Sequence, residues 1–438
     1  MLIKNVFQSP WFFVPLLFIA VGSGGGGIVG NLTTVMFKDL GFSNAMVGAA
    51  ALLSLPSSFR FLWAPWVDAL GSKRDLCWRF IFGMATLVAS LAALVYFGFF
   101  SALAAFGILF VFALIFSCLE VSADGYYIRV FDRKRQAEFV GIKAAAIRGG
   151  ILLSIVLFVT SAGELQEVHL WTKAHAWGAA VAGAAIFLTL LAIYCKFFLP
   201  KVATDEPVRD SGAFPLIPIF KEYLKQDRAW AIIIMLLIFR FGQGIFVYMA
   251  PPFYMDDITL GGYGMNAKDI GLLKTLTDLP WMTLGGIAGG FLIMKVGLKR
   301  TIIPLTLLLC LPNFAYVYLA YAQPMTQFTL FGYEYYTAVF WVSCIESLGY
   351  GIGFSGFFYY IHAIAQGRHK TSMLAISSGF MGLGFYIPGA ISGVLQEATS
   401  YVTVFAISSC VGLLTLLIVP FLPMPKFDES DSKNMELH

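Results

Sequence analysis

Twelve long apolar stretches follow one another along the 438 residues, and they limit what the chain can fold into. Each is long enough to cross the roughly 30 Å hydrocarbon core of a bilayer as a helix. Predicted spans 1 to 6 cover residues 11–38, 44–68, 76–99, 102–129, 138–162 and 174–199. Predicted spans 7 to 12 cover residues 229–255, 267–294, 300–321, 336–363, 371–395 and 402–422. The sequence therefore predicts an all-α integral membrane protein.

Composition excludes a soluble protein of this size. Hydrophobic residues make up 59% of the chain and charged residues 12%, against roughly 25% charged residues in ordinary soluble domains. A net charge of +4 gives no reason to expect a nucleic-acid partner. The six cysteines are scattered without a C-x-x-C pair, so we interpret them as packing residues rather than a disulfide framework or metal site.

The basic residues predict the orientation. Most lie in the termini and in the even-numbered connections, whereas the opposite connections hold Lys38, Lys173 and Lys268. By the positive-inside rule both termini lie in the cytoplasm. The first apolar run has no small-residue cleavage site, which predicts a retained span rather than a signal peptide.

The chain divides into two halves joined by a polar segment. Residues 1–199 and 229–422 each hold six spans, and residues 200–228 form a cytoplasmic linker. Within the linker, Ile219, Phe220, Tyr223 and Leu224 predict a short amphipathic helix on the membrane surface. Residues 423–438 are polar and predict a disordered cytoplasmic tail.

Short matches repeat in the same order in both halves. GFSNAMVG at 41–48 parallels GMNAKDIG at 264–271, DALGSKR at 68–74 parallels MKVGLKR at 294–300, and YYI occurs at 126–128 and 359–361. Their common order predicts a duplicated six-span unit.

A signature G-x-x-x-D-x-x-G-x-[KR]-[KR] lies between spans 2 and 3 and again between spans 8 and 9, and resembles the major facilitator superfamily. The first copy has Ala64 for the leading glycine, and the second has Met294 for the acid. The resemblance implies twelve helices in two pseudo-symmetric six-helix bundles, with gating by Asp68, Gly71, Lys73, Arg74, Gly297, Lys299 and Arg300. The alternative is that Lys73 and Arg74 only anchor the chain at the cytoplasmic surface.

Longer stretches resemble AmpG-type muropeptide permeases: FRFLWAPWVD (59–68), EVSADGYYI (120–128), QAEFVGIK (136–143), GLKRTIIP (297–304), ESLGYGIGF (346–354) and residues 369–393. The chain departs from that family at Leu119 and Glu120 and lacks two further helices. The resemblance implies a monomeric, proton-coupled secondary transporter that imports anhydro-muropeptides or related cell-wall sugar-peptides across an inner membrane. Uptake of an iron–siderophore complex or another organic anion is the alternative.

No motif predicts an enzyme or a resident cofactor or metal. GSGGGG at 22–27 lacks the lysine and hydroxyl residue of a phosphate loop and lies inside a span. Close helix packing, or a flexible point in span 1, is the better interpretation.

Two acids lie inside span 4. Glu120 and Asp124 are one helical turn apart and share a face. Charges within a span face the bundle interior or a watery cavity, so these carboxylates are candidates for the coupling proton. Fixed salt bridges are the alternative. Counting outward from the loop at 131–137, Asp124 matches Lys143 in depth and Glu120 matches Arg148, which predicts these two pairings.

Further charged and polar residues inside spans are candidates for the substrate site. Arginine suits bidentate binding of carboxylates, and aromatic faces suit sugars. The substrate candidates are Arg60, Arg148, Arg240, Lys143, Asn31, Gln243, Tyr126, Tyr127, Tyr359 and Tyr360. Trp63 and Tyr248 are further aromatic candidates, and Lys274, Asp278 and Glu346 are intramembrane charges to which the sequence assigns no role.

Overall fold

The structure is a computed structural model that describes residues 7–202, 205, 216–364 and 370–423. Its first half holds six spans. Span 1 runs through Pro10–Gly22, the π-helical Ser23–Leu32 and Thr33–Asp39, and span 2 runs through Asn44–Ala49, the 3-10 turn Ala50–Ser54, Leu55–Ser58 and Arg60–Ala69. Spans 3 and 4 are Lys73–Tyr96 and Ala102–Val130. Span 5 comprises Arg133–Ser154, the π-helical Ile155–Val159 and Thr160–Glu167, and span 6 is Lys173–Phe198.

The second half follows a linker helix, Leu216–Leu224. Span 7 comprises Ala229–Phe239 and Phe241–Met255, and the 3-10 turn Ile258–Leu260 follows it. Span 8 is Ala267–Val296, and span 9 comprises Leu298–Cys310 and Asn313–Ala322. Strands β1 (Gln327–Leu330) and β2 (Tyr333–Tyr336) precede span 10, Thr337–Ile364. Span 11 is Lys370–Ala398, and span 12 comprises Tyr401–Ile418 and the 3-10 turn Val419–Phe421.

These bounds confirm the predicted series of spans. Within the described residues, 11 helices are long and apolar enough to cross a membrane, and the segmented span 2 completes the set of twelve. The sequence reasoning missed the antiparallel hairpin, which pairs Gln327 with Tyr336. Its strands are four residues each, too short to show a clear alternation beside the apolar start of span 10.

Equivalent spans pack alike in the two halves. Span 1 packs on span 5 as span 7 packs on span 11, and span 3 packs on span 6 as span 9 packs on span 12. The halves meet where span 2 crosses span 11 and where span 5 crosses span 8. This pattern is that of two pseudo-symmetric six-helix bundles, as the duplicated motifs predicted.

Glycines from the repeated motif lie at both crossings between the halves. A Cβ atom on Gly48 of span 2 would lie 2.9 Å from the backbone nitrogen of Gly393 on span 11. A Cβ atom on Gly271 of span 8 would lie 2.1 Å from the Thr160 hydroxyl on span 5. The two copies of the motif therefore serve the same purpose, which is close approach of one half to the other.

The glycine-rich part of span 1 brings it close to span 5. A Cβ atom on Gly22 would lie 1.9 Å from the Ile147 carbonyl oxygen, and one on Gly150 would lie 2.3 Å from the Ile19 carbonyl oxygen. The same stretch is π-helical over Ser23–Leu32, a conformation often found at functional sites. The prediction of close packing at GSGGGG is confirmed.

The linker helix lies against the second half. The Tyr223 side chain is buried, its hydroxyl is 3.0 Å from Ser377 Oγ on span 11, and its ring stacks on Phe380. Phe220 and Leu224 are partly exposed, as an amphipathic helix requires. The side chain of Ile219 and residues 424–438 of the tail predicted at 423–438 lie outside the described residues.

One end of the bundle is closed by polar contacts between the halves. We call Lys38, Asn44, Asp256 and Tyr401 the latch. Asp256 forms an ion pair with Lys38 and accepts hydrogen bonds from Tyr401 and, at 3.0 Å, from Asn44 Nδ2. At the same end Lys268 Nζ lies 3.2 Å from Glu167 Oε2. This is the end that the distribution of basic residues predicts to face away from the cytoplasm.

Candidate functional site between the two halves

Two adjoining cavities occupy the middle of the bundle. The first, about 260 Å³, lies between the halves and is lined by residues of spans 1, 5 and 7 to 11. The second, about 290 Å³, is lined by residues of spans 1, 2, 4, 5, 7 and 11. The cavities share Gly26, Asn31, Ile151, Val247 and Phe385. Volumes of this order suit a small organic ligand.

Helix irregularities present polar residues to these cavities. In the π-helical stretch of span 1, Asn31 Nδ2 donates to the Gly26 carbonyl oxygen at 2.8 Å. Span 7 is interrupted at Arg240, so its helix is broken at the height of the cavity. Irregular backbone at membrane depth occurs where it is buried in protein or lines a cavity.

The span 4 acids both form ion pairs. Lys143 Nζ lies 2.7 Å from Asp124 Oδ1, which confirms the pairing predicted from depth. Glu120 Oε1 lies 3.2 Å from Arg60 Nη1 on span 2, so the predicted pairing of Glu120 with Arg148 is wrong. Glu120 lines the second cavity.

Span 1 explains why Glu120 does not reach Arg148. At this depth span 1 lies between spans 4 and 5: Cβ atoms on Gly24 and Gly25 would lie 2.8 and 2.6 Å from the Phe116 ring of span 4. On its other side span 1 meets Ile147 of span 5 at Gly22. Counting from the loop gives depth, but it cannot detect a third helix between the two.

Arg148 and Arg240 both line the first cavity, one from each half. Arg148 Nη1 is buried and has no hydrogen-bond partner among the described residues, and the same is true of Arg240 Nε. Arg240 Nη2 donates to the Tyr350 hydroxyl at 3.2 Å, and the guanidinium carbon lies 4.1 Å from the Phe385 ring centroid. These two guanidinium groups have unused donors beside one cavity.

The other substrate candidates divide into those at the cavities and those away from them. Asn31 lines both cavities, Gln243 lines the first, and Tyr248 lines the second. The remaining candidates line neither of these two cavities: Trp63, Tyr126, Tyr127, Lys143, Tyr359 and Tyr360. Arg60 is not among the lining residues of the second cavity, but it forms an ion pair with Glu120, which lines that cavity.

The tyrosines of the repeated YYI motif are mostly built into the protein. The Tyr126 hydroxyl donates to the Pro200 carbonyl oxygen at 2.8 Å, and the Tyr127 hydroxyl to the Gln136 carbonyl oxygen at 2.6 Å. Tyr360 is fully buried in a hydrophobic cluster formed by the linker helix and spans 7 to 12, whereas Tyr359 is 40% exposed. In this structure none of these four rings is available to a ligand in either cavity.

The second half contributes a polar cluster whose three charged residues were left without a role by sequence reasoning. Glu346 on span 10 is 8% exposed, and its Oε1 accepts a hydrogen bond from Gln243 Nε2 at 3.1 Å. Lys274 Nζ lies 3.2 Å from Asp278 Oδ2, one turn along span 8. All four residues line the first cavity. The signal was present, because three of them are ionisable residues inside spans, but their convergence required the fold.

The signature between spans 2 and 3 is tied to the linker. Gly71 and Gly297 have φ of 154° and 85°, which favours glycine at both turns. Asp205 accepts hydrogen bonds from the backbone N–H groups of Lys73 and Arg74 at 2.8 Å each, and its Oδ1 lies 3.0 Å from Arg129 Nη1. Sequence reasoning missed Asp205, which lies far along the chain from its partners.

The remaining signature residues have different surroundings. The Lys73 side chain is fully buried, with its stem 3.3 Å from where a Cβ on Gly125 would be. Arg74 Nε donates to the Leu199 carbonyl oxygen at 2.7 Å. Lys299 and Arg300 are exposed in the first turn of span 9. The side chain of Asp68 lies outside the described residues.

Comparison with known sequences identifies related proteins. Residues 14–326 match the family model described as the Major Facilitator Superfamily. The chain is 22% identical over 433 residues to "Putative transporter AmpG 4" of Rickettsia felis, covering 96% of this chain and 99% of that protein. It is 22% identical over 402 residues to "Anhydromuropeptide permease" of Escherichia coli, covering 89% of this chain and 74% of that protein.

Solved structures share the fold. A D-xylose–proton symporter matches with a TM-score of 0.67 at 17% identity, covering 95% of this chain and 98% of the other. The inward-open xylose transporter XylE of Escherichia coli matches with a TM-score of 0.65 at 16% identity, covering 97% and 96%. At such identities the likeness establishes the architecture alone.

Proposed function

Since the chain belongs to the major facilitator superfamily of membrane transporters, we propose that it imports anhydro-muropeptides or related cell-wall sugar-peptides. The transport is driven by a proton gradient across the inner membrane, with both termini in the cytoplasm, and the monomer is the working unit. The protein moves its substrate by exposing the central cavities to one side of the membrane and then to the other.

One observation carries the substrate proposal. Arg148 and Arg240 approach the first cavity from opposite halves, and each has a buried N–H donor without a partner among the described residues. A buried donor left unsatisfied is costly, and a substrate carboxylate would satisfy both. Relatives of this chain include a protein named "Anhydromuropeptide permease", and sugar-peptides of that kind carry carboxylates.

Proton coupling is proposed for the span 4 acids. Glu120 and Asp124 are held by Arg60 and Lys143, and Glu120 lines the second cavity, which adjoins the first. When a proton neutralises Glu120, Arg60 loses its anionic partner and becomes available to an anionic substrate.

The test is uptake into proteoliposomes of a radiolabelled anhydro-muramyl tripeptide, with and without an inward proton gradient. The purified wild type should accumulate the label only with the gradient. Arg148→Gln removes a charge-assisted hydrogen bond worth about 1.5–3 kcal/mol, so the KM should rise roughly 10- to 100-fold. Arg79→Gln, a change at an exposed arginine of span 3, is the matched control and should transport like the wild type.

Two results would reject parts of the proposal. Equal uptake with and without the gradient would remove proton coupling. If the wild type took up no tripeptide and instead accumulated an iron–siderophore complex, the substrate class would be wrong while the carrier assignment stood.

A further inference from the structure

Glu346 is a buried carboxyl group that forms no ion pair with any of the residues that the structure describes. It is 8% exposed, and among the described residues no basic nitrogen lies within salt-bridge distance of it. Lys274, which lines the same cavity, is paired with Asp278. A hydrogen bond from span 7 reaches it from the neutral Gln243 amide, at 3.1 Å. A buried carboxylate is costly unless a cation or a proton accompanies it.

Gln243 adds a second unused acceptor at the same place. The amide is 5% exposed, and while its Nε2 donates to Glu346, its Oε1 is buried and accepts no hydrogen bond from the described residues. Two acceptor groups therefore stand side by side at the wall of the first cavity. A group that donates several hydrogen bonds and carries positive charge, such as an ammonium, would satisfy both.

The remainder of the cavity has the opposite chemistry. Lys274 and Asp278 neutralise each other in an ion pair. The other charged groups that line the first cavity are the guanidinium groups of Arg148 and Arg240 and the carboxyl group of Glu346. Unused donors lie on the arginines, and the unused acceptor lies on Gln243. This arrangement complements a zwitterionic ligand better than a purely anionic one.

We infer that Glu346 and Gln243 form a subsite for an ammonium group of the substrate, while Arg148 and Arg240 bind its carboxylates. This rests on the proposed function and deepens it: the substrate is a sugar-peptide whose peptide keeps a free amino group. A site built around buried polar groups discriminates strongly against an analogue that leaves them unpaired. Acetylation of that amine should therefore weaken transport, mainly because the positive charge and its hydrogen bonds are lost and only to a small extent because the acetyl group adds bulk.

The experiment compares two forms of one anhydro-muramyl tripeptide whose third residue is a diamino acid. One form has a free side-chain amine and the other is acetylated on that amine. In the wild type, acetylation should raise the KM about tenfold or more. In Glu346→Gln, which keeps a polar side chain of the same shape without the charge, the two forms should differ by less than about twofold.

Glu334→Gln is the matched control, because Glu334 is an exposed acid in strand β2, and it should discriminate like the wild type. Equal KM values for the two forms in the wild type would overturn the inference. It would equally be overturned if Glu346→Gln lost gradient-driven accumulation of both forms alike, because the carboxyl would then be a proton site.

A binding measurement separates this inference from the transport proposal. If the wild type transports neither tripeptide, the proposed substrate is wrong. The subsite is then tested by the thermal stabilisation of the purified protein by N-acetyl-γ-glutamyl-lysine, whose only ammonium group is that of the lysine side chain, and by its ε-acetylated form. The two compounds carry the same carboxylates. Greater stabilisation by the free amine, lost in Glu346→Gln, supports the subsite, and equal stabilisation by both compounds overturns it.

Discussion

Each ionisable residue at the centre of this protein has a distinct electrostatic role. Asp124 is held by Lys143, whose Nζ also lies 4.7 Å from the centroid of the Phe18 ring. Glu120 forms its ion pair with Arg60 through one contact of 3.2 Å. This pair is longer than the 2.7 Å pair of Asp124 with Lys143, and it is more easily broken. Glu120 also lines the second cavity, so in the proposed mechanism it is the acid better placed to exchange its partner for a proton.

Replacing Glu120 with glutamine should uncouple transport without stopping it. Glu120→Gln keeps a hydrogen-bonding group for Arg60 but mimics the protonated acid, so accumulation driven by the proton gradient should disappear while substrate exchange continues. Counterflow in proteoliposomes measures the exchange, and uptake under a gradient measures the coupling. Glu138→Gln alters an exposed acid of span 5 and should behave as the wild type. Full accumulation by Glu120→Gln would show that the coupling proton binds elsewhere.

Removing the side chain altogether should also destabilise the protein. Glu120→Ala leaves Arg60 without its carboxylate, and Arg60 is 32% exposed, so the loss should be about 1–2 kcal/mol. Thermal unfolding in detergent should rank the variants wild type, Glu120→Gln, then Glu120→Ala. An alanine variant as stable as the glutamine variant would mean that the Arg60 pair adds nothing to folding.

At the scale of elements, hydropathy predicted the spans, and depth counting predicted one of the two ion pairs of the span 4 acids. The Asp124–Lys143 pair followed from the sequence because two helices joined by a short loop place equally distant residues at equal depth. Glu120 failed the same rule because span 1 intervenes through Gly24 and Gly25. The Gln243–Glu346 contact joins residues 103 positions apart, and no local periodicity fixes how spans 7 and 10 are rotated toward each other. The sequence therefore predicts how deep a residue lies in the membrane. It does not predict how a span is rotated about its axis or whether a third span lies between two others.

The crossing of spans 1 and 5 provides a test with adjacent glycines. A Cβ atom on Gly150 would lie 2.3 Å from the Ile19 carbonyl oxygen, whereas one on Gly149 would meet nothing within 4 Å. Gly150→Ala should therefore cost about 1–3 kcal/mol through overpacking. Gly149→Ala should be neutral or stabilise by up to about 1 kcal/mol, because it removes a glycine from a helix interior. The measurement is the Tm of each purified variant. Equal changes in Tm for Gly150→Ala and Gly149→Ala would contradict the close crossing of spans 1 and 5.

At the scale of the whole molecule, the latch holds one end shut while the cavities lie behind it. Lys38 and Asn44 belong to the first half, and Asp256 and Tyr401 belong to the second, so the contacts at Asp256 join two bodies that must separate for that end to open. A second tie, Glu167 with Lys268, lies at the same end. The balance between the open and closed ends should depend on a few charged contacts, each worth on the order of 1–2 kcal/mol.

Neutralising Asp256 should shift that balance. In Asp256→Asn the ion pair with Lys38 is lost, and the fraction open at the latch end should rise about 5- to 30-fold for a change of 1–2 kcal/mol. The labelling rate of Val247→Cys, at a position that lines both cavities, by an impermeant maleimide added outside intact cells measures this fraction. Asp257→Asn is the control, because Asp257 is exposed and bonds only locally to Thr259. If labelling becomes faster only in inverted vesicles, the termini have the opposite orientation to the one predicted. If the labelling rate is unchanged on both sides, the latch does not control opening of this end.

The π-helical stretch of span 1 has a consequence for how the cavity and the latch communicate. Ser23–Leu32 is wound more loosely than an α-helix, so tightening it by one residue would turn everything beyond it by about 100° and advance it by about 1.5 Å. Lys38 lies just past this stretch, and Asn31, which faces both cavities, lies near its end. The slip that withdraws Asn31 from a ligand would rotate Lys38 away from Asp256. Such a slip would couple occupancy of the cavity to closure of the far end through a single change of helical register.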